Sequence, residues 1–404
     1  MLLSPLSTTA LTMFSSTLCP SSPTKVVIPD LVSHCTFELR SSTHQKRLSA
    51  DSERWLFRSD NLDESTRRSF HGLKAGLLTA MCYPNAGYPQ LRVVSDFLNW
   101  LFHLDNLSDD MGNRSITEVA NVVMNSLHHP YTYHSNVRLG RMTRSFYRRI
   151  LRTASPGTCQ RFVETLELFF QAINEQATDR NNKFIPGLQA YIALRRDTSG
   201  CKPCWALVEY AYDLDIPDEV MNHPLIRSLG EATNDLVTWS NDIFSYNVEQ
   251  SKGQTHNMID VIMNERGIDL QSAFNFVGEL CKQSIDRFIE CREQLPSWGP
   301  KIDRDVTIYI EGLADWIVGS LHWSFDTERY FGKRGHEVKK TRIFKLLQPR
   351  RVSPWHTFLP VSQPFNAVFG HCSWLPFLAP ETANVLQSCL VYGNLTYEVS
   401  WTKH

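Results

Sequence analysis

The chain is poor in several things, and each shortage closes off a class of protein. It has no pronounced charge: 41 Lys and Arg stand against 42 Asp and Glu, a net charge of -1. A nucleic-acid binder or a polybasic membrane anchor would need an excess of cations. It has no apolar run of about 18 residues, so no spanning helix and no stable membrane insertion are expected. Its ten cysteines form a single CxxC, Cys201 and Cys204, with no second pair at zinc-site spacing. Reduced thiols in a cytoplasmic protein are the expectation. Alternating strand patterns are scarce before residue 345.

The two ends lack charge. Residues 1–24 carry no charged side chain and are rich in Ser and Thr. A signal peptide needs a basic start and an unbroken apolar middle, which Thr8 and Thr9 interrupt. Residues 1–25 therefore read as a disordered extension, or as sequence upstream of a start at Met13. After Arg351 the only charges are Glu381, Glu398 and Lys403, among many Pro and aromatic residues. Neither helical nor strand period persists there. Residues 346–404 read as a tail not shaped by the fold, the alternative being a docked extension over an apolar patch.

What remains, residues 26–345, is helix after helix. Phe97, Leu98, Leu101, Phe102 and Leu104 recur at 3–4 spacing, as do Phe162, Leu166, Phe169 and Phe170, then Phe274, Val277, Leu280 and Cys281. Breakers separate them at residues 83–89, 155–157, 217–218 and 295–300. The pattern predicts an all-α, single-domain helical bundle.

Two acidic stretches carry the chemistry. Asp105 and Asp109 lie one turn apart, with Asp110 beside them, at the end of a largely apolar helix. Carboxylates so close repel unless a cation sits between them. An acidic cluster alone reads as a solvated helix end; the apolar residues before this one suggest a pocket with a metal at its mouth. The second stretch places Asn241, Ser245 and Glu249 at i, i+4 and i+8. They drift only about 80° around a helix, so an amide oxygen, a hydroxyl and a carboxylate can meet one hard cation. Lys252 follows on nearly the same face. Cationic partners for phosphate stand at Arg195 and Arg196, before a break at Gly200, and at Arg329 with Tyr330.

The set resembles the class I terpene synthases, specifically the fungal, basidiomycete-type sesquiterpene synthases. The features carrying the resemblance are the aspartate-rich stretch Asp105 to Asp110, the Asn-Asp-x-x-Ser-x-x-x-Glu stretch with its trailing Lys252, the Arg-Arg-x-Thr-x-Gly segment and Arg329-Tyr330. The resemblance implies ionisation and cyclisation of farnesyl diphosphate, a small-molecule prenyl diphosphate, with three Mg²⁺ ions or Mn²⁺ in their place. It implies that Asp105 bridges two ions, with Asp109 and Asp110 in support, and that Asn241, Ser245 and Glu249 hold the third. Arg196 would sense the diphosphate, with Arg195 the competing choice. Ser199 and Gly200 would relay the signal, and Lys252, Arg329 and Tyr330 would bind the leaving group. Asn106 departs from the acid common at the second position of the first motif. Phe102, one turn deeper than Asp105, and Trp323, six residues before Arg329, are the candidate walls facing the cation. No Asp-x-Asp-Asp stretch supports protonation-initiated chemistry. The rivals are a prenyl diphosphate synthase, a synthase using another chain length, and an inactive scaffold. The oligomeric state stays open between monomer and homodimer.

Overall fold

The computed structural model describes residues 25–58, 62–108 and 111–349. The chain divides near Arg350, and the second unit, Arg351–His404, lies outside the described residues together with the expectation made for it. So does the expectation for residues 1–24.

In chain order, a short strand β1 (Lys25–Val27) leads to α1 (Leu31–His34), α2 (Gln45–Phe57), α3 (Glu64–Leu73), α4 (Ala75–Cys82) and α5 (Tyr88–Ser108). Then come α6 (Asn113–His128), α7 (Arg138–Ile150), α8 (Pro156–Asn181), α9 (Leu188–Thr198), α10 (Cys201–Ala211) and α11 (Asp218–Met221). The last part holds α12 (Pro224–Lys252), α13 (Met258–Arg266), α14 (Leu270–Glu293), α15 (Pro300–Asp326), α16 (Glu328–Phe331), α17 (Gly335–Thr341) and strand β2 (Ile343–Lys345).

The all-α expectation holds, with one addition. β1 and β2 pair antiparallel, Val26 opposite Phe344. Three residues are too few to show a strand period, so the pair was not legible in the sequence. Phe344 is buried against Phe274 and Phe331, which ties both ends of the helical unit to its core.

Local chemistry explains where the helices start and stop. Ser155 caps α8 by accepting from the Thr158 N–H, and Pro156 starts the helix where its missing N–H costs nothing. Asp269 caps α14 in the same way, accepting from Ser272. Gly253 ends α12 in a left-handed conformation, φ +76°. The long helices α5, α12 and α15 bury residues around most of their circumference, which places them inside the bundle. α12 packs on α14 and α15, while α2 and α4 cover α5. Among the described residues no helix is long and apolar enough to cross a membrane.

The break between α9 and α10 needs glycine twice over. Gly200 has φ +69°, and a Cβ there would meet the Leu101 side chain of α5 at about 3.0 Å. The α9 terminus is thereby pressed against the helix that carries Asp105.

Candidate active site

The two acidic stretches, far apart in sequence, meet through two neighbouring side chains. Arg329 Nη2 donates to Asp105 Oδ2 at 2.6 Å. The next residue, Tyr330, accepts at its hydroxyl from Asn241 Nδ2 at 2.7 Å. Arg195 Nη2 in turn donates to Asn241 Oδ1 at 3.0 Å. Asp105, Arg329, Tyr330, Asn241 and Arg195 thus form one continuous polar chain across α5, α16, α12 and α9.

Electrostatics agree with that proximity. Burial works against the Arg329 charge, but Asp105, Tyr330 and Glu249 outweigh it and hold its pKa above the ordinary value. Glu249 therefore lies within charge range of the residue that grips Asp105. Burial pushes the Tyr330 hydroxyl up to about 12, so it stays a neutral donor.

The donor set on α12 fits a hard cation. The Ser245 hydroxyl is buried, and no hydrogen bond of ordinary geometry satisfies it, although it lies close enough to Glu249 to favour that carboxylate's charge. Asn257 Nδ2 donates to Glu249 Oε2 at 2.9 Å. Even so, burial and the neighbouring Asp242 carboxylate raise the Glu249 pKa. A divalent ion would relieve both, by filling the orphaned hydroxyl oxygen and by neutralising a strained carboxylate. Asn241 Oδ1 uses one lone pair on Arg195 and keeps another. Among the described residues no group of three or more His, Cys, Asp or Glu side chains is placed to hold a metal ion, and the candidate donor set is the mixed amide, hydroxyl and carboxylate one. Asp109 and Asp110 lie outside the described residues.

Of the two adjacent arginines, the structure brings only Arg195 to the triad. Arg195 forks onto Asp242 Oδ1 through Nε at 3.1 Å and Nη2 at 2.9 Å. Arg196, the first choice as diphosphate sensor, points elsewhere. Its Nε and Nη2 bind the two oxygens of buried Asp235 at 2.7 and 2.8 Å. The reason is helical geometry: neighbours on a helix diverge by about 100°. Lys252 is exposed at the end of α12. Phe102 and Trp323 face one another at 5.7 Å between centroids, and the Arg329 guanidinium lies 5.4 Å from the Phe102 ring centre. Trp323 also stands edge-on to Tyr330 at 6.0 Å.

Sequence reasoning gave no role to four residues that build the site from behind. Asp242 accepts from the Tyr191 hydroxyl at 2.5 Å and from the Met258 N–H at 3.1 Å, besides Arg195. Tyr191 precedes Arg195 by one turn, so their shared face was legible. Asn257 bridges the Asp242 carbonyl and Glu249 from beyond the helix end, where no periodicity reaches. His256 packs on Tyr191 at 5.0 Å, with its Nε2 buried and unsatisfied.

Burial, with Arg195 and Arg180 adding, drives the His256 pKa down to about 3. Unfolding frees the imidazole to take a proton near its ordinary 6.5. The unfolded chain then binds more protons below pH 6.5, so stability is present above that pH and lost as pH falls toward 3. Between pH 6.5 and 5 this residue alone is expected to cost about 2 kcal/mol. Urea denaturation at both pH values checks it: His256→Gln should lack that part of the loss.

Two shallow surface hollows, of about 380 and 260 Å³, lie along α6, α7 and α8. No residue of the site lines either.

Comparison with known proteins identifies the family. Residues 96–287 match the family model described as terpene synthase family 2, C-terminal metal binding. The sesquiterpene synthase Agr1 of Cyclocybe aegerita is 65% identical over 328 residues, 81% of this chain and 95% of that protein. Sesquiterpene synthase 2 of Postia placenta is 64% identical over 339 residues, 84% of this chain and 100% of that one. The fold is also that of a crystal structure of α-eudesmol synthase, with TM-score 0.66 at 20% identity, over 72% of this chain and 97% of that one. The chain belongs to the terpene synthase family, with the fungal sesquiterpene synthases as close relatives.

Proposed function

We propose that the chain ionises farnesyl diphosphate and cyclises the resulting cation to a sesquiterpene, releasing diphosphate. The observation that carries this reading is the polar chain from Asp105 through Arg329 and Tyr330 to Asn241, which draws both acidic stretches to one locus. Residues 26–345 are assigned as the catalytic unit, acting in the cytoplasm.

Three Mg²⁺ ions, held by Asp105 with Asp109 on one side and by Asn241, Ser245 and Glu249 on the other, would supply positive charge where the diphosphate oxygens gain negative charge. The residues do the rest. Arg195, Arg329, Tyr330 and Lys252 donate hydrogen bonds to the leaving group as the C1–O bond breaks and its electron pair goes to oxygen. Arg329 swings its side chain from Asp105 toward the diphosphate as it does so, about an α16 backbone that stays in place. Phe102 and Trp323 present π-faces to the allylic cation and bring no nucleophile to quench it. Ring closure then proceeds by attack of the substrate's own double bonds, and a final proton loss to an oxygen of the released diphosphate gives the neutral hydrocarbon.

Incubation with Mg²⁺ and geranyl, farnesyl or geranylgeranyl diphosphate tests the reading. Fifteen-carbon cyclic products are expected from the second, and chelation should abolish them. With isopentenyl diphosphate added as the five-carbon donor, linear prenyl diphosphates of greater length would instead mark a chain-elongating enzyme.

The aromatic wall makes a separate prediction. Phe102→Ala and Trp323→Ala should each redistribute the products, raising acyclic ones, because the rings meet the cation; for Phe102→Ala KM should change by no more than about threefold. Gas chromatography of both variants checks it; an unchanged product profile would remove these rings from the wall.

A further inference from the structure

The diphosphate-binding pair Arg329-Tyr330 sits on a helix of only four residues, Glu328–Phe331, which cannot hold its own direction. What holds it is a kink elsewhere. Between α3 and α4 the chain turns through Lys74, a non-glycine residue at φ +56°. At that turn the Leu77 N–H binds the Lys74 carbonyl and not that of Leu73 four residues back. The freed Leu73 carbonyl accepts from the Trp323 indole N–H at 3.1 Å, which reaches the Lys74 carbonyl at 3.2 Å as well.

Two further bonds converge on the same place. Lys74 Nζ donates to the carbonyl of Asp326, the last residue of α15, at 2.6 Å. The buried Thr327 hydroxyl donates to the Gly72 carbonyl and accepts from the Arg329 N–H, both at 3.2 Å. The backbones lie close: a Cβ on Gly72 would stand 3.2 Å from that of Glu328. Consecutive residues Gly72, Leu73 and Lys74 thus clasp residues 323–328, immediately before the arginine.

We infer that Lys74 and Thr327 are positioning residues for Arg329-Tyr330, and that the α3–α4 kink exists to hold the α15 terminus in register with the diphosphate. The inference rests on the reading of that pair as diphosphate donors. The left-handed lysine carries the ammonium group that makes the tie; a glycine would turn the chain more easily but could not reach Asp326.

That contrast provides the test. Lys74→Gly eases the turn and removes the tie, whereas Thr327→Val removes the hydroxyl link and Thr327→Ser keeps it. The readouts are thermal melting and calorimetric binding of inorganic diphosphate with Mg²⁺ to the full chain. Lys74→Gly is expected to melt within a few degrees of wild type and to bind diphosphate about tenfold more weakly. Thr327→Val should show the same weakening, with Thr327→Ser near wild type. Wild-type affinity in folded Lys74→Gly and Thr327→Val would overturn the inference. Failure of wild type itself to bind diphosphate with Mg²⁺ would overturn the site reading beneath it.

Discussion

Glu249→Gln is expected to lower turnover of farnesyl diphosphate about a thousandfold while leaving the fold intact. The glutamine keeps an oxygen for Asn257 Nδ2, which now donates to the carboxylate at 2.9 Å. It also removes a charge that burial and Asp242 already penalise, so melting should stay level or rise. What it cannot do is bind a divalent cation with full negative charge. The loss should therefore fall on kcat and on the apparent Mg²⁺ affinity together, since the metal charge matters most as diphosphate leaves. Asp105→Asn should act in parallel from the opposite wall. Single-turnover assays across a Mg²⁺ titration check both. Near-wild-type turnover of Glu249→Gln would remove α12 from the chemistry.

The second large effect separates the adjacent arginines. Arg195→Lys should cut kcat/KM by about a hundredfold, and Arg196→Lys by less than about tenfold. Arg195 holds Asn241 and Asp242 at once, and a lysine cannot reproduce that fork. Its positive charge remains, so buried Asp242 is not stranded and the protein should still fold. Arg196 serves Asp235, which Arg287 Nη2 also grips at 2.7 Å, so a weaker partner there is backed by another. Steady-state kinetics of the two variants decide the matter; the reverse order of effects would assign the sensor role to Arg196.

These two cases also mark how far the sequence reaches. The i, i+4, i+8 ladder of Asn241, Ser245 and Glu249 was legible because it depends only on helical period, and α12 is one uninterrupted helix. The breakers at 83–89, 155–157, 217–218 and 295–300 fall at the junctions between helices, their last residues opening the first turns of α5, α8, α11 and α15. The choice between Arg195 and Arg196 was not legible. One residue of phase separates them, and the phase is set by where α9 lies against α12. Nor could sequence pair Arg329 with Asp105, because 224 positions separate them and only the bundle joins them. The Lys74 kink escaped notice because lysine is not a residue that signals a left-handed turn. Asn257 and His256 escaped it because they follow Gly253, past the end of any helical ladder.

A crystal of the full chain soaked with Mn²⁺ and inorganic diphosphate bears most directly on the central claim. Anomalous peaks should appear beside Asp105 and, separately, beside Asn241, Ser245 and Glu249, with one diphosphate touching both groups and Arg329 turned from Asp105 toward it. Metal bound at only one of the two walls, with Arg329 still on Asp105 and diphosphate elsewhere, would contradict it.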